Sequence, residues 1–325
     1  MYIIAGPAPR GSGTRRYAAI IRPMSVKTNF ISVLAALLCA WPVLTGAQDF
    51  SAVQIDTVPV ADGIYMLTGR GGNIGVSVGA DGVLLIDDQY APMHEKIVTA
   101  IAAITDRPVK MLLNTHWHGD HTGGNELFAD GGALIVAHDN VRTRMSASHF
   151  SSFFNAESSP SPQAALPVVT FDSSVTLHIN GQTIVAEHMA PAHTDGDSIV
   201  WFRQANVVHL GDTYFNGFYP FIDVDSGGSI RGMIAAVDRA LKNIDAETRI
   251  IPGHGPLSDR EALVRYRNML EHVTGRIEAM VNKGQSKQQV IDIKPTAEYD
   301  DEWGDGFIKP DQWVGLVYDV VVANR

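Results

Sequence analysis

The sequence predicts an α/β protein in which two mixed β-sheets pack face to face and carry helices on their outer sides. Short apolar runs rich in β-branched residues occur in two blocks along the chain, and turn residues separate the runs. Longer segments with apolar residues at helical spacing accompany each block. The chain has 325 residues, of which 45% are hydrophobic and 18% charged, so it can bury a large core. Two strand blocks with helices are expected to form stacked layers around such a core.

The first block is predicted to begin as an antiparallel meander. The segments IYMLTG and GVSVGADGVLLIDD have strand patterns, and Ala80-Asp81-Gly82 supplies a hairpin turn inside the second segment. MHEKIVTAIAAI is predicted to be a helix, and VKMLLN a buried strand. The glycine-rich segment GRGGNIG, residues 69–75, opens a hairpin and no helix, so we interpret it as a strand turn and not as a nucleotide-binding turn.

The second block contains the predicted strands ALIVAH, TIVAEHMAPAH and SIVWFRQANVVHLGD, the last with a turn at Gln204-Ala205-Asn206. An amphipathic helix, GSIRGMIAAVDRALKNI, and the strand RIIPGH follow. The helical patterns REALVRYRNMLEHVTGRIEAMVNKG and WVGLVYDVVVA close the chain. These segments provide a second sheet and its outer helices.

A loop rich in serine and proline, Ser146 to Pro167, lies between the two blocks and contains Phe150, Phe153 and Phe154. A long loop of this kind in a compact domain is either disordered or functional. We interpret it as a flap whose phenylalanines contact the apolar parts of a substrate.

Residues 1–47 are predicted to be an N-terminal extension with a secretory signal peptide, and residues 48–325 to be the folded domain. Met24 and Lys27 precede an apolar run from Phe30 to Leu44, and Thr45-Gly46-Ala47 resembles a cleavage site. A membrane anchor or a buried helix is the alternative, but the run is interrupted by proline and is shorter than the about 20 residues of a membrane span. We therefore expect cleavage after Ala47, no stable membrane insertion, and a periplasmic or secreted protein.

Loss of residues 1–47 would change both the cysteine content and the charge of the chain. The single cysteine, Cys39, lies in this segment, so disulfides are not expected in the mature protein. The segment also contains five basic residues and no acidic one, which would shift the net charge from −10 to −15. Such an acidic balance argues against a nucleic-acid partner.

The segment NTHWHGDHTGG, residues 114–124, places three histidines and one aspartate within six positions directly after a predicted strand. Side chains at positions i and i+2 of an extended segment point to the same side, so His116 and His118 can hold one metal ion together. Asp120 and His121 follow where the chain turns, and they can point to a neighbouring position. One short segment can therefore contribute to two metal sites.

Three further residues of metal-ligating type follow β-like runs downstream: His193 in PAHTDGD, Asp212 in HLGDTYF and His254 in IPGHGP. Each precedes a turn, and strand ends of this kind collect side chains around a ligand in open sheets. Each of them could also be an ordinary structural residue. Imidazole and carboxylate ligands suit Zn²⁺, with Fe²⁺ and Mn²⁺ as competitors.

The order of these motifs resembles that of the metallo-β-lactamase superfamily across nearly all of residues 50–260. The resemblance implies an αββα sandwich and a metal-dependent hydrolase domain over residues 48–325. It further implies two zinc ions per chain, the first held by His116, His118 and His193 and the second by Asp120, His121 and His254. Asp212 occupies the position of a bridging aspartate in many members of the family.

The resemblance also implies a mechanism. Two metal ions would generate a hydroxide from bound water and polarise the scissile carbonyl, so no serine or cysteine nucleophile is required. Asp120 would act in catalysis by orienting the hydroxide, and Asp87 in LLIDD would form hydrogen bonds next to the ligands. The alternative is that Asp87 is a turn residue at a strand end.

The substrate is less well defined by the sequence than the reaction. Export and a zinc pair favour a β-lactamase-like enzyme, whose activity would confer antibiotic resistance. However, well-known β-lactamases have Cys or Ser at the position of Asp212, and some have Lys at the position of Phe215. An aspartate at position 212 resembles the pattern of lactonases, glyoxalase II and nucleases of the superfamily. Lactonases, however, have Tyr at the position of Phe215, and Tyr214 lies one residue before that position.

We therefore predict an exported di-zinc hydrolase that cleaves a cyclic amide or ester bond in a small molecule. Phe150, Phe153, Phe154 and Tyr214 are the predicted substrate contacts. The alternatives are a lactonase or another ester or thioester hydrolase, a mononuclear iron oxygenase, and a zinc-binding protein without turnover.

Overall fold

The computed structural model describes residues 49–323, so the predicted signal peptide and its cleavage site lie outside the described residues. The strands span Asp56–Ala61 (β1), Ile64–Thr68 (β2), Ile74–Gly79 (β3), Gly82–Ile86 (β4), Val109–Leu113 (β5), Leu134–His138 (β6), His149–Ser151 (β7), Ala156–Ser158 (β8), Val169–Phe171 (β9), Ser174–Ile179 (β10), Gln182–His188 (β11), Ser198–Phe202 (β12), Val207–His209 (β13) and Arg249–Ile251 (β14). The helices span His94–Ala102 (α1), Gly119–Thr122 (α2), Asn125–Asp130 (α3), Asp139–Met145 (α4), Ile230–Asn243 (α5), Arg260–Asn282 (α6), Lys287–Ile293 (α7), Asp300–Trp303 (α8) and Pro310–Ala323 (α9). None of the helices within this range is long and apolar enough to span a membrane.

Two large sheets form the centre of the domain, which confirms the predicted fold class. The first has the strand order β1-β2-β3-β4-β5-β6-β9 and the second β10-β11-β12-β13-β14. Strands β1 to β4 are antiparallel, whereas β5, β6 and β9 continue the first sheet in parallel. The second sheet is antiparallel except for the parallel pair β13 and β14.

The assignment of ALIVAH to the second block was wrong. This segment forms β6, which pairs in parallel with β5 in the first sheet. Helices α2 and α3 provide the crossover that a parallel pair requires, and they follow directly from the histidine motif. The second sheet begins only at β10.

Apolar side chains form three layers: one between the two sheets and one on the outer face of each sheet. Leu84 and Ile86 belong to the cluster between the sheets, together with Val200 of β12. Leu85 points to the opposite side of β4 and packs with Ile97 of α1. Because side chains alternate along a strand, a continuous apolar run such as LLI can fill both layers at once.

The outer face of the second sheet is covered by α5, α6 and α9. Their apolar side chains form the largest cluster of the domain, which includes the fully buried Trp313 of α9. The layer order is therefore helix, sheet, sheet, helix.

The predicted loop Ser146 to Pro167 contains a short antiparallel hairpin. Strands β7 and β8 pair with each other and form a separate two-stranded sheet. We call residues 149–158 the flap hairpin.

Candidate metal centre

The seven predicted metal ligands meet at one end of the two sheets. They form two groups, and within each group one ligand atom per residue lies within 4.8 Å of all the others. The first group contains His116, His118, His193 and Asp212, and the second contains Asp120, His121 and His254.

The histidine motif reaches both groups because the chain changes conformation at His118. His116 and His118 extend from the end of β5, and His118 keeps extended backbone angles as the residue before α2. The single turn of α2 then directs Asp120 and His121 to the other group. This placement is the one that the spacing of the motif predicts.

The ligand atoms of the first group face one another closely. His118 Nδ1 lies 2.8 Å from His193 Nε2, which in turn lies 3.5 Å from Asp212 Oδ2. His116 Nε2 is buried, has no hydrogen-bond partner, and lies 3.8 Å from Asp212 Oδ2. A buried ring nitrogen without a partner is costly unless another species binds it, and a metal ion would satisfy it.

The second group is arranged similarly. His254 Nε2 lies 3.3 Å from both His121 Nε2 and Asp120 Oδ2. Asp212 also reaches this group, because its Oδ1 lies 3.1 Å from His121 Nε2 and its Oδ2 lies 3.5 Å from His254 Nε2. The carboxylate of Asp212 therefore lies between the two groups.

Burial and neighbouring charges shift the pKa values of these residues in opposite directions. Burial would raise the pKa of Asp212, but the charges of His121 and His254 lower it well below its usual value. Burial lowers the pKa of His254, but Asp212 and Asp120 outweigh this effect and raise it to about 9. The buried carboxylates thus require nearby positive charge, which a metal dication would supply in place of the protons.

The first group favours neutral imidazoles, the form that binds metal. Burial lowers the pKa of His116 well below its usual value and lowers that of His193 to about 4. His193 Nδ1 donates to the carbonyl oxygen of Phe221 at 2.9 Å, which leaves its Nε2 as the acceptor. These histidines and carboxylates together fit a divalent transition metal.

Asp87 forms hydrogen bonds to His121 and to Thr115, the residue before His116. Its carboxylate accepts hydrogen bonds from the backbone N–H and the hydroxyl of Thr115, both at 2.7 Å, and from His121 Nδ1 at 2.8 Å. The Thr115 hydroxyl also lies 3.0 Å from His116 Nδ1. Asp87 has a φ of 65°, a left-handed conformation that aspartate tolerates better than most residues. The structure therefore places Asp87 next to the ligands, as the resemblance implies.

Two aspartates that the sequence did not indicate hold the first group in place. Asp223 Oδ2 lies 2.8 Å from His118 Nε2, so the other ring nitrogen, Nδ1, faces the group. Asp197 Oδ2 accepts from the backbone N–H groups of His193 and Thr194 at 2.7 and 2.9 Å. A carboxylate on the second ring nitrogen, as Asp223 provides, orients a metal-binding ring and increases its basicity. Asp197 instead fixes the backbone at His193. Asp223 has no recognisable motif, whereas the turn DGDS was a weak signal for Asp197.

The glycine-rich turn between β2 and β3 also belongs to the site, and we call residues 69–72 the glycine loop. A Cβ atom on Gly72 would lie 2.0 Å from the ring of His121. The backbone N–H of Gly72 donates to the carbonyl oxygen of Asp120 at 3.0 Å, and Gln89 Nε2 donates to the carbonyl oxygen of Gly72 at 2.8 Å. Glycine is required because the loop lies directly against a ligand ring.

A cavity of about 540 Å³ opens over both groups. Besides ligands and Gly119, its lining consists of Arg70, Tyr90, Phe154, Phe215, Phe221 and Phe307. A second cavity of about 280 Å³ lies beside His118 and is lined by Trp117, Phe150 and Phe154 among others. The site is therefore largely aromatic around the ligands.

The predicted substrate contacts occupy different positions. Phe154 lines both cavities and Phe150 lines the smaller one, whereas Phe153 is partly buried and packs against Phe221 with 5.1 Å between the ring centroids. The prediction for Tyr214 was wrong. Its side chain is buried and its hydroxyl pairs with Ser258 Oγ at 2.8 Å.

Phe215, the next residue, lines the large cavity instead of Tyr214. Its ring stacks on His254 with 5.3 Å between the centroids. Adjacent side chains in an extended segment point to opposite sides, so only one of the two can face the cavity.

Comparison with known proteins adds independent information. A family model described as the metallo-beta-lactamase superfamily matches residues 67–254. Hydroxyacylglutathione hydrolase of Nitrosococcus oceani is 26% identical over 166 residues, which are 50% of this chain and 55% of the relative. The same enzyme of Rhodospirillum rubrum is 27% identical over 164 residues, with the same coverage of 50% and 55%. The chain therefore matches about half the length of these curated relatives.

Similar solved structures include a metallo-beta-lactamase from Pontibacter korlensis, with 20% identity and a TM-score of 0.53. The alignment covers 67% of this chain and 99% of that protein. DIM-1 metallo-beta-lactamase is 18% identical with a TM-score of 0.54, covering 67% and 98%. The sec-alkylsulfatase Pisa1 from Pseudomonas sp. is 15% identical with a TM-score of 0.59, covering 82% and 50%. At these identities the likeness concerns the fold.

Proposed function

Because this chain belongs to the metallo-β-lactamase superfamily of metal-dependent hydrolases, we propose that it uses two zinc ions to cleave a cyclic amide or ester bond in a small molecule. The observation that carries the proposal is the pair of ligand groups with one carboxylate between them. Asp212 lies within 4 Å of histidines in both groups.

The proposed ligands of the first zinc are the imidazoles of the first group, and those of the second are the side chains of the second group. Asp212 would contact both ions. When bound, the zinc ions would lower the pKa of a coordinated water and polarise the scissile carbonyl group.

The residues of the chain provide orientation and exclude bulk water. Asp87, Asp223 and the carbonyl oxygen of Phe221 fix three ligand rings through their second nitrogens. We assign to Asp120 the orientation of the attacking water, because its side chain is 23% exposed whereas that of Asp212 is only 4% exposed. The aromatic lining would exclude bulk water around the reacting bond.

A second candidate is thioester hydrolysis, which the similarity to hydroxyacylglutathione hydrolases favours. A glutathione conjugate carries more than one carboxylate, whereas Arg70 is the only Arg or Lys among the described residues that line the large cavity. The aromatic lining fits a β-lactam or lactone with an apolar substituent better, so we retain the cyclic amide or ester as the first proposal.

The decisive experiment is a substrate panel combined with metal analysis. Purified protein would be tested against β-lactams, lactones, thioesters and phosphodiesters, with and without a chelator and with zinc added back. We expect about two zinc ions per chain and chelator-sensitive hydrolysis of a cyclic amide or ester. One iron per chain without acyl hydrolysis would instead indicate an oxygenase, and zinc without turnover a binding protein.

We further propose that the enzyme is exported, which is supported by the apolar run and cleavage pattern of residues 1–47. Mass spectrometry of the secreted or periplasmic protein should find Gln48 as the first residue. A mature chain that starts at Met24 or earlier would contradict this.

A further inference from the structure

Arg70 occupies an unusual position for an arginine of this domain. Most of the arginines in the second half of the described chain pair with carboxylates, as Arg267 does with Asp238 at 2.9 Å. Arg70 forms no ion pair or hydrogen bond through its side chain within residues 49–323, and it lines the large cavity. Its guanidinium group is therefore available to a ligand in that cavity.

The backbone around Arg70 is fixed to the second ligand group. Gly71 N donates to Gln89 Oε1 at 3.3 Å, and Gly72 N donates to the carbonyl oxygen of Asp120 at 3.0 Å. Asn73 Nδ2 donates to the carbonyl oxygens of Pro252 and Gly255 at 3.0 and 2.8 Å, on both sides of His254 in sequence. The glycine loop thus holds the backbone of Arg70 at a defined position relative to Asp120 and His254.

Apart from the candidate metal ligands, Arg70 is the only cationic side chain among the described residues that line the large cavity. The remaining lining is aromatic, except for Gly119 and the candidate metal ligands. The two carboxylates in the lining, Asp120 and Asp212, belong to the two ligand groups. A guanidinium group presents paired N–H donors that match the two oxygens of a carboxylate.

We propose that Arg70 binds a carboxylate of the substrate and thereby selects small acyl compounds that carry an anionic group beside an apolar body. This inference rests on the proposed hydrolase function. Arg70 acts in specificity, because its side chain contacts a part of the substrate away from the bond that breaks.

The test compares Arg70→Gln with Arg107→Gln as a matched control. Both changes remove one positive charge from an exposed side chain, but Arg107 lies before β5, at the strand end away from the histidine motif. Benzylpenicillin would be compared with its methyl ester, and S-benzoylmercaptoacetate with the corresponding amide. Arg70→Gln should raise KM for the carboxylates by about tenfold or more and change that for the neutral analogues less than about twofold.

Two further results should accompany this increase in KM for the carboxylates. Arg70→Lys should retain part of the preference, since it keeps the charge but not the paired donors. Arg107→Gln should leave the preference unchanged. An equal effect of Arg70→Gln on carboxylates and neutral analogues would mean that Arg70 only shapes the glycine loop, and no effect on either would also overturn the proposal.

A binding measurement separates this inference from the proposed function. Calorimetric titration of the zinc-loaded protein with phenylacetate and with phenylacetamide should show tighter binding of phenylacetate in the wild type, and Arg70→Gln should abolish the difference. If the difference persists in Arg70→Gln, the metal ions hold the carboxylate and the proposal fails. This result stands even if the substrate panel finds no hydrolysis.

Discussion

At the residue scale, Asp212 connects the two ligand groups more directly than any single histidine does. Its Oδ2 lies 3.5 Å from both His193 Nε2 and His254 Nε2, and its Oδ1 lies 3.1 Å from His121 Nε2. The side chain is almost completely buried, so its charge is poorly screened by water. Its carboxylate would therefore offset the charge of two dications at once.

This position predicts distinct effects of two substitutions. In Asp212→Ala, one zinc ion should be released or bound more weakly, and kcat/KM should fall by at least about 10- to 100-fold. Losing only a residue that hydrogen-bonds to a metal ligand typically has an effect of that size. Asp212→Asn should show a similar loss while keeping the side-chain volume. Zinc stoichiometry and kcat/KM measured on the same samples check the prediction.

Asp106→Asn is a suitable control, because this exposed aspartate lies before β5, at the end of the strand opposite to the histidine motif. Folding of the Asp212 variants should be retained, since His116, His118 and His193 remain. Two tightly bound zinc ions with less than about a threefold change in rate in both variants would show that Asp212 is only a turn residue.

The candidate ligands could be predicted from the sequence because their chemistry is tied to local spacing and strand ends. The sequence did not predict Asp223, since this residue lies 105 positions from His118 and no pattern links the two. It also missed the role of Gly72, whose value lies in the absence of a side chain next to His121. Tyr214 was assigned wrongly, because the side that faces the cavity depends on the local backbone and here belongs to Phe215.

At the scale of elements, the flap hairpin rests on the segment that supports the first ligand group. Ser152 donates to Asp225 Oδ2 through its backbone N–H at 2.6 Å and its hydroxyl at 2.7 Å. Two residues before Asp225, Asp223 holds His118. The sequence predicted a loop here but not its hairpin, because strands of three residues are too short for a recognisable alternation.

The flap hairpin is expected to contribute binding energy rather than chemistry. Phe150 and Phe154 are 57% and 55% exposed although they line the cavities, so a substrate can cover them. Phe150→Ala and Phe154→Ala should each raise KM severalfold with little change in kcat, because contacts common to ground and transition states are lost. Steady-state kinetics on the best substrate of the panel test this.

Leu127→Ala provides the control, since Leu127 is an exposed apolar residue of α3 that lines neither of these cavities. Phe153→Ala should instead lower stability, because Phe153 packs against the core. Unchanged kinetics in the Phe150 and Phe154 variants would remove the flap hairpin from substrate binding.

At the scale of the whole molecule, the candidate metal centre contains residues from both sheets. His116, His118, Asp120 and His121 follow β5 of the first sheet, whereas His193, Asp212 and His254 lie next to β12, β13 and β14 of the second. The sequence could predict two sheets because both blocks carry clear strand patterns. It could not predict which sheet β6 joins, since strand pairing depends on contacts distant in sequence.

Because the candidate ligands come from both sheets, we predict that metal binding stabilises the folded state. A ligand that binds only the native protein adds RT ln(1 + [L]/Kd), or about 2.7 kcal/mol at a free concentration of 100 Kd. For a domain of this size, each kcal/mol shifts Tm by about 2–4 °C, so saturation with zinc should raise Tm by about 5–10 °C. Thermal unfolding in a chelator and in buffered free zinc measures the shift.

His193→Ala should lose most of this zinc-induced rise in Tm, because it removes a candidate ligand contributed by the second sheet. His178→Ala, which changes an exposed histidine of β10 outside both ligand groups, should keep it. Comparing zinc-induced shifts within each variant cancels any effect of the substitution on the metal-free fold. A Tm independent of zinc in the unmodified protein, or an equal shift in His193→Ala, would contradict a metal centre that links the two sheets.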